Sequence, residues 1–373
     1  MHTDFSIFRD FPITDSHEHI ESRVDVRKTI ESYRAIFSFF GYDRILLLAC
    51  HDLLDRPVDP TCSLKCLFVK MALSPKLYAF AGLQHTYDER DTAEEYLRQI
   101  RSAWEMGFDG FKMLEGKPGL RVKTGQALSG EIYEPMFAYA EQKQIPITLH
   151  ATDPAYFWDP PEEEKENMRK LGWLIEPGWP SRHEIFTEID TVMQRHPRLR
   201  LVIAHLMCDN EDVREATRFL ESYPNTGYDL TACESEYTIA SRAPEAWREF
   251  FLRFADRLYF GTDMDNPSPD EESIRRTWGY TSNCLSRTYL ESMEDFERHG
   301  VRYRSLRLPD DVIRKIYHDN FVTRLNERPR RVDVQAFRDA CQKLLENMEE
   351  DAAESDHVKL DRINLRYMID RIS

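Results

Sequence analysis

Basic charge is what this 373-residue chain has too little of: 50 lysines and arginines stand against 66 aspartates and glutamates, a formal net charge of -16. Tight binding to a nucleic-acid backbone or an anionic membrane needs a basic face, so neither partner is expected. Long apolar runs are also missing. None approaches the roughly 20 residues that cross a bilayer, and the first residues, with Asp4, Arg9 and Asp10 among them, lack the ordered regions of a signal peptide. A cytoplasmic protein is expected. Cysteine is sparse and odd in number: the seven, Cys50, Cys62, Cys66, Cys208, Cys233, Cys284 and Cys341, are scattered unlike a secreted disulfide framework, which points to reduced thiols. Cys62 and Cys66, at helical i,i+4 spacing, supply only half of a structural zinc site, so core packing suits them better. No glycine-rich phosphate loop opens a helix after the first strand, and no internal repeat is found.

What is present is a hydrophobic content of 41%, enough to build one large core. Its patterning alternates. An extended segment over residues 12–20 precedes a helix over 26–40 that stops at Gly41. The continuous apolar run 43–50 has the form of a parallel strand covered on both sides. Helix 64–73, strand 77–83, helix 92–106, strand 108–114, helix 133–143 and strand 145–150 follow. Then come helix 184–195, strand 200–205, helix 213–222, strand 226–231, helix 243–255 and strand 257–263. Eight strands alternating with helices over about 250 residues predict an α/β chain folded as a (β/α)8 TIM barrel. A doubly wound open sheet is the alternative.

Barrel active sites lie at the carboxyl ends of the strands. There the sequence places His19, His51, His85, Lys112, His150, His205 and Asp263. In an extended segment Asp15, His17 and His19 share one face, and two imidazoles so spaced can converge on a divalent metal.

The motifs then become specific. Asp15-Ser16-His17-Glu18-His19 at the first strand, Gly107-Phe108-Asp109-Gly110-Phe111-Lys112 at the fourth and Ile145-Pro146-Ile147-Thr148-Leu149-His150 at the fifth occur in that order. Ile203-Ala204-His205, Phe260-Gly261-Thr262-Asp263 and Tyr317-His318-Asp319-Asn320 follow. Over residues 10–326 the chain resembles the amidohydrolase superfamily, in the amidohydrolase-2 branch of proteins similar to aminocarboxymuconate semialdehyde decarboxylase. The resemblance implies that His17, His19, His150 and Asp263 ligate one divalent metal, with His205 beside it as a catalytic residue. Such nitrogen and oxygen donors suit zinc, with manganese or iron as alternatives. Lys112 is read as a substrate-carboxylate group, a structural cation or, carboxylated, a bridge to a second metal; His51 and His85 are read as supporting the ligands from behind or lining the pocket and contacting substrate, rather than as ligands.

The barrel is expected to occupy residues 1–330, with insertions at 152–182 and 266–308, and residues 331–373 to form a helical extension. The first insertion carries Tyr156, Phe157, Trp158, Trp173 and Trp179, an aromatic set suited to a lid or to a subunit interface, with Trp158 and Trp179 taken as substrate contacts. The appended helices are expected to serve packing or a homo-oligomer such as a dimer. The expected activity is metal-dependent hydrolysis of a carbon–nitrogen or lactone bond in a small carboxylated molecule. Nonoxidative decarboxylation by the same site is the alternative, and a non-catalytic binding barrel is a third reading.

Overall fold

The computed structural model describes residues 1–21, 24–52, 58–208, 212–231, 234–325, 327–349 and 355–372. Eight parallel strands pair in sequence order: β1 (Thr14–Glu18), β2 (Arg44–Leu48), β3 (Leu77–Gly82), β4 (Gly110–Gly116), β5 (Ile147–Ala151), β6 (Leu201–Ile203), β7 (Thr226–Asp229) and β8 (Leu258–Tyr259). The sheet closes just beyond β8. Ser16 N donates to Phe260 O at 2.9 Å, Asp263 N to His17 O at 2.9 Å and His19 N to Met264 O at 2.8 Å, so the segment after β8 returns to β1. A (β/α)8 barrel is therefore the fold.

Strand parity sorts the side chains. Ile45 and Leu47 on β2, with Leu77 and Ala79 on β3, join the core beneath the helices. Leu46, Leu48, Tyr78 and Phe80, one residue out of phase, turn inward and meet Tyr259 and Phe321 in a separate cluster that fills the barrel. Gly110 makes room for that filling: a Cβ there would stand 2.5 Å from the Phe80 ring.

Helix boundaries follow their caps. Val26–Phe40 begins after Asp25, whose carboxylate accepts from Arg27 N, and ends at Gly41 in the left-handed region (φ 67°). Ala93–Met106 is capped by Thr92 and stopped by Gly107 (φ 103°). A helix at Pro118–Thr124, which the sequence reading does not anticipate, follows β4 with proline in its first turn and Gly125 at its end.

Both insertions carry structure. Within 152–182 a turn at Ala155–Phe157 and a helix at Glu162–Lys170 enclose buried Met168, Leu174 and Ile175, and Phe157 stacks on Trp173 with centroids 5.7 Å apart. Within 266–308 lie helices Glu271–Arg275 and Trp278–Glu291 and a hairpin of β9 (Phe296–Arg298) and β10 (Val301–Tyr303). The appended helices Val334–Glu349 and Asp356–Arg371 pack on each other and on the barrel. Asn364 accepts from Val26 N and donates to Val24 O, both at 3.0 Å, and Asp361 accepts from Thr61 Oγ1 at 3.1 Å. The extension thus braces loops beside the site. The described cysteines are free and buried; Cys233 and the acidic segment Glu350 to Glu354 lie outside the described residues. Among the described residues no helix is long and apolar enough to cross a membrane.

Candidate metal centre

At the carboxyl end of β1 the alternation breaks: pairing with β2 slips between Asp15 and Glu18, and all five residues of the strand are buried. Asp15 consequently turns to its own strand's neighbour, accepting from Thr262 Oγ1 at 2.6 Å and Thr262 N at 3.1 Å. His17 and His19 converge. Their Nε2 atoms are 3.1 Å apart, and Asp263 Oδ1 lies 3.7 Å from the first and 3.1 Å from the second. Ligand atoms of these three residues all fall within 4.8 Å of one another. Gly261 permits the approach, because a Cβ there would stand 2.5 Å from Thr231 Oγ1 and 3.0 Å from His17 Cβ.

Hydrogen-bond partners behind the rings set their tautomers. The Nδ1 of His17 is 2.8 Å from Asp229 Oδ2, and the Nδ1 of His19 is 2.7 Å from the carbonyl of Leu48. A carbonyl or an ionised carboxylate only accepts, so both Nδ1 atoms carry hydrogen and both Nε2 atoms are left facing Asp263. The local electrostatics hold positive charge there. Burial pulls the His19 pKa down, yet Cys50 and Asp263 outweigh it and raise the value well above that of a free imidazole. Burial acts to raise the Asp263 pKa, but its hydrogen bond to His19 and the neighbouring imidazoles hold it well below the usual carboxylate range. His17 is neutral, lowered to about 3 by burial and then by the ammonium of Lys112, whose Nζ is 3.5 Å from His17 Nε2. Two imidazole nitrogens and a carboxylate oxygen so grouped form a donor set that a divalent cation fits.

The other half of the group lies at the end of β5 and just beyond β6. His150 Nδ1 is 3.1 Å from His205 Nε2, His150 Nε2 is 3.2 Å from Asp153 Oδ1, and His205 Nδ1 is 3.2 Å from Thr231 O. Burial, then Lys117, lowers His150 to about 4; burial, then His150, lowers His205 to about 4, so both are neutral near pH 7. Two neutral imidazoles bring two protons to three contacts. One contact therefore joins two acceptors, the condition that a cation relieves. The His205 ring centroid is 5.2 Å from that of His17, which joins the two halves.

The backbone beneath is strained. Thr152 (φ 62°), His205 (58°), Leu206 (46°), Met207 (70°), Cys208 (46°) and Asp263 (60°) are all left-handed, at a cost of roughly 1–2 kcal/mol per residue. His205 N donates to Asp229 Oδ1 at 2.9 Å, so one buried carboxylate holds both His17 and the start of this turn.

The structure thus brings together His17, His19, Lys112, His150, His205 and Asp263, while His51 and His85 are engaged by protein atoms and Trp158 and Trp179 lie on the 152–182 insertion. Both nitrogens of His51 are engaged by protein, with Asp59 O and Ser63 Oγ at 2.7 Å each. Those of His85 meet Tyr96 Oη at 2.7 Å and Glu115 Oε1 at 2.8 Å. Neither ring offers a free nitrogen to a ligand. Trp158 lies beneath the Arg182 guanidinium, 5.7 Å from ring to carbon, and Trp179 is half-buried just ahead of helix Arg182–Arg195. Asp229 lies on β7, where a one-residue change of register would reverse its direction, so sequence leaves its direction open; Asp153 is missed, its only local signal being its position three residues after His150.

Comparisons with known proteins agree with this architecture. An amidohydrolase family model, that of the amidohydrolase-2 branch, matches residues 74–320. No curated protein matches in sequence. Among solved structures, an uncharacterised TIM-barrel protein from Bordetella bronchiseptica is 15% identical with a TM-score of 0.51, over 84% of this chain and 98% of its own. The 4-oxalomesaconate hydratase of Rhodopseudomonas palustris is 14% identical with a TM-score of 0.51, over 90% and 99% of the two chains. The IDCase of Metarhizium anisopliae is also 14% identical with a TM-score of 0.51, over 84% and 97%. Identities this low show the common barrel and nothing of substrate. With the family match spanning about two thirds of the chain, including β3 to β8 and Asp263, this protein belongs to the amidohydrolase-2 branch of the amidohydrolases.

Proposed function

We propose that this chain is a metal-dependent hydrolase acting on a carbon–nitrogen or lactone bond of a small carboxylated molecule. The observation that carries the reading is the convergence of His17 Nε2, His19 Nε2 and Asp263 Oδ1 with both imidazole tautomers fixed from behind. His150 completes the proposed ligand set. Zinc is the proposed metal, with manganese or iron as alternatives; such an ion lowers the pKa of water toward neutrality and polarises a substrate oxygen. Asp263, ionised and 29% exposed where His17 is fully covered, accepts the proton of the attacking water and returns it to the leaving group. His205 stabilises negative charge as it develops on the substrate carbonyl. Lys112, beside His17, orients a substrate carboxylate.

The test is metal analysis of the purified protein followed by assays against lactones, amides and aromatic acids in ¹⁸O-labelled water. Stoichiometric metal with label in the product is the expected outcome. Evolution of carbon dioxide without label sinks hydrolysis in favour of the decarboxylase reading, in which Asp263 protonates carbon. A protein that takes up no metal supports a binding barrel.

A further inference from the structure

Four consecutive left-handed residues, His205 to Cys208, form the turn after β6 that carries His205, and such a run persists only where its surroundings over-determine it. Its start is fastened by Asp229 Oδ1 to His205 N and by Ala204 O to Met207 N at 3.1 Å, and Tyr228 Oη contacts Met207 Sδ at 3.1 Å. Its last carbonyl, that of Cys208, accepts a hydrogen bond from the guanidinium of Arg182. Arg182 is itself fixed. It is the first residue of helix Arg182–Arg195, behind a capping box in which Ser181 and Glu184 satisfy each other's backbone amides. Its guanidinium also lies over the ring of Trp158, on the aromatic insertion.

We propose that Arg182 is a positioning residue: by holding the Cys208 carbonyl it locks the left-handed turn that aims His205, and through Trp158 it ties the 152–182 insertion to that turn. The consequence for turnover rests on the proposed role of His205; the consequence for the turn does not. Removing the guanidinium frees the last carbonyl, and the backbone relaxes toward right-handed or extended conformations, carrying the His205 ring away from His150. A lysine can still donate to the carbonyl but loses the planar fork and much of the stacking, so it restores the function in part.

The experiment compares metal-loaded full-length wild type, Arg182→Ala and Arg182→Lys. In a crystal structure of Arg182→Ala, residues 205 to 208 should leave the left-handed region and the 3.1 Å His150–His205 contact should open by about 1 Å or more, with the His17–His19 contact kept. With a substrate found by the assay panel, kcat should fall about tenfold or more at a KM changed less than about threefold, and Arg182→Lys should recover part of the loss. An unmoved turn in Arg182→Ala overturns the proposal. A moved turn with undiminished kcat keeps the positioning claim and removes His205 from catalysis. Should Arg182→Ala not fold, Arg182→Met, which keeps the aliphatic stem and loses the donor to the Cys208 carbonyl, is read by the same structural criterion: a displaced turn supports the proposal and an unmoved one overturns it.

Discussion

The two ends of the barrel are built from the same eight strands and obey opposite rules. At the interior plug, Leu46, Leu48, Tyr78, Phe80, Tyr259 and Phe321 pack apolar surface against apolar surface. At the carboxyl end, six ionisable side chains crowd a buried ring above left-handed backbone. One end stores stability and the other spends it. At the plug the buried Tyr259 hydroxyl has no hydrogen-bond partner among the described residues.

The sharpest contrast is removal of Asp263. Asp263→Asn should lower turnover by about a thousandfold or more while leaving the circular-dichroism melting curve close to wild type, since the change alters charge and keeps shape. Undiminished turnover would take Asp263 out of proton transfer. The opposite end should give the opposite signature: Phe80→Ala should cost about 3–5 kcal/mol in denaturant unfolding and leave metal stoichiometry intact, because it opens a cavity in the plug. Loss of metal in that variant would show that the two ends are not separable.

Smaller effects refine the comparison. Asp229→Asn replaces the acceptor behind His17 and should weaken metal affinity by about 10–100-fold, read in a chelator competition. The two histidines held to about 4 make the metal-free protein acid-sensitive. The unfolded chain binds protons near pH 6.5 and the folded one only near 4, so stability is fully present above about 6.5 and falls as pH drops toward 4. His205→Gln should flatten that slope in unfolding curves of chelator-treated protein; an unchanged slope would place the acid sensitivity elsewhere. Tyr259→Phe, which removes a buried hydroxyl without a partner, should change stability by less than about 1 kcal/mol and activity not at all, measured on one preparation by both assays.

Much of this division is visible in the sequence, element by element. The helices over 26–40 and 213–222 match their expected limits because Asp25 and Asp212 cap them within the chain. Strand β8 shrinks to two residues because the chain beyond Tyr259 leaves the regular ladder, with Phe260 N donating to Ile316 O and Asp263 left-handed, partners and a conformation that local pattern does not reveal. Strand β4 runs to Gly116 rather than 114, which puts Lys112 mid-strand and deep, beside His17. His51 and His85 stand near strand ends as expected, and only the fold supplies the Asp59, Ser63, Tyr96 and Glu115 atoms that occupy them.

Local pattern alone therefore determined the barrel and the residue types at its mouth, because alternation, capping and strand parity are properties of neighbouring residues. Tertiary structure decided which of those residues are available to a metal or a substrate. The tautomer of His17 depends on Asp229, 212 positions away, and the left-handed turn bearing His205 depends on Arg182 from another helix. Availability is a matter of hydrogen-bond partners, and these come from parts of the chain that meet only when the barrel closes.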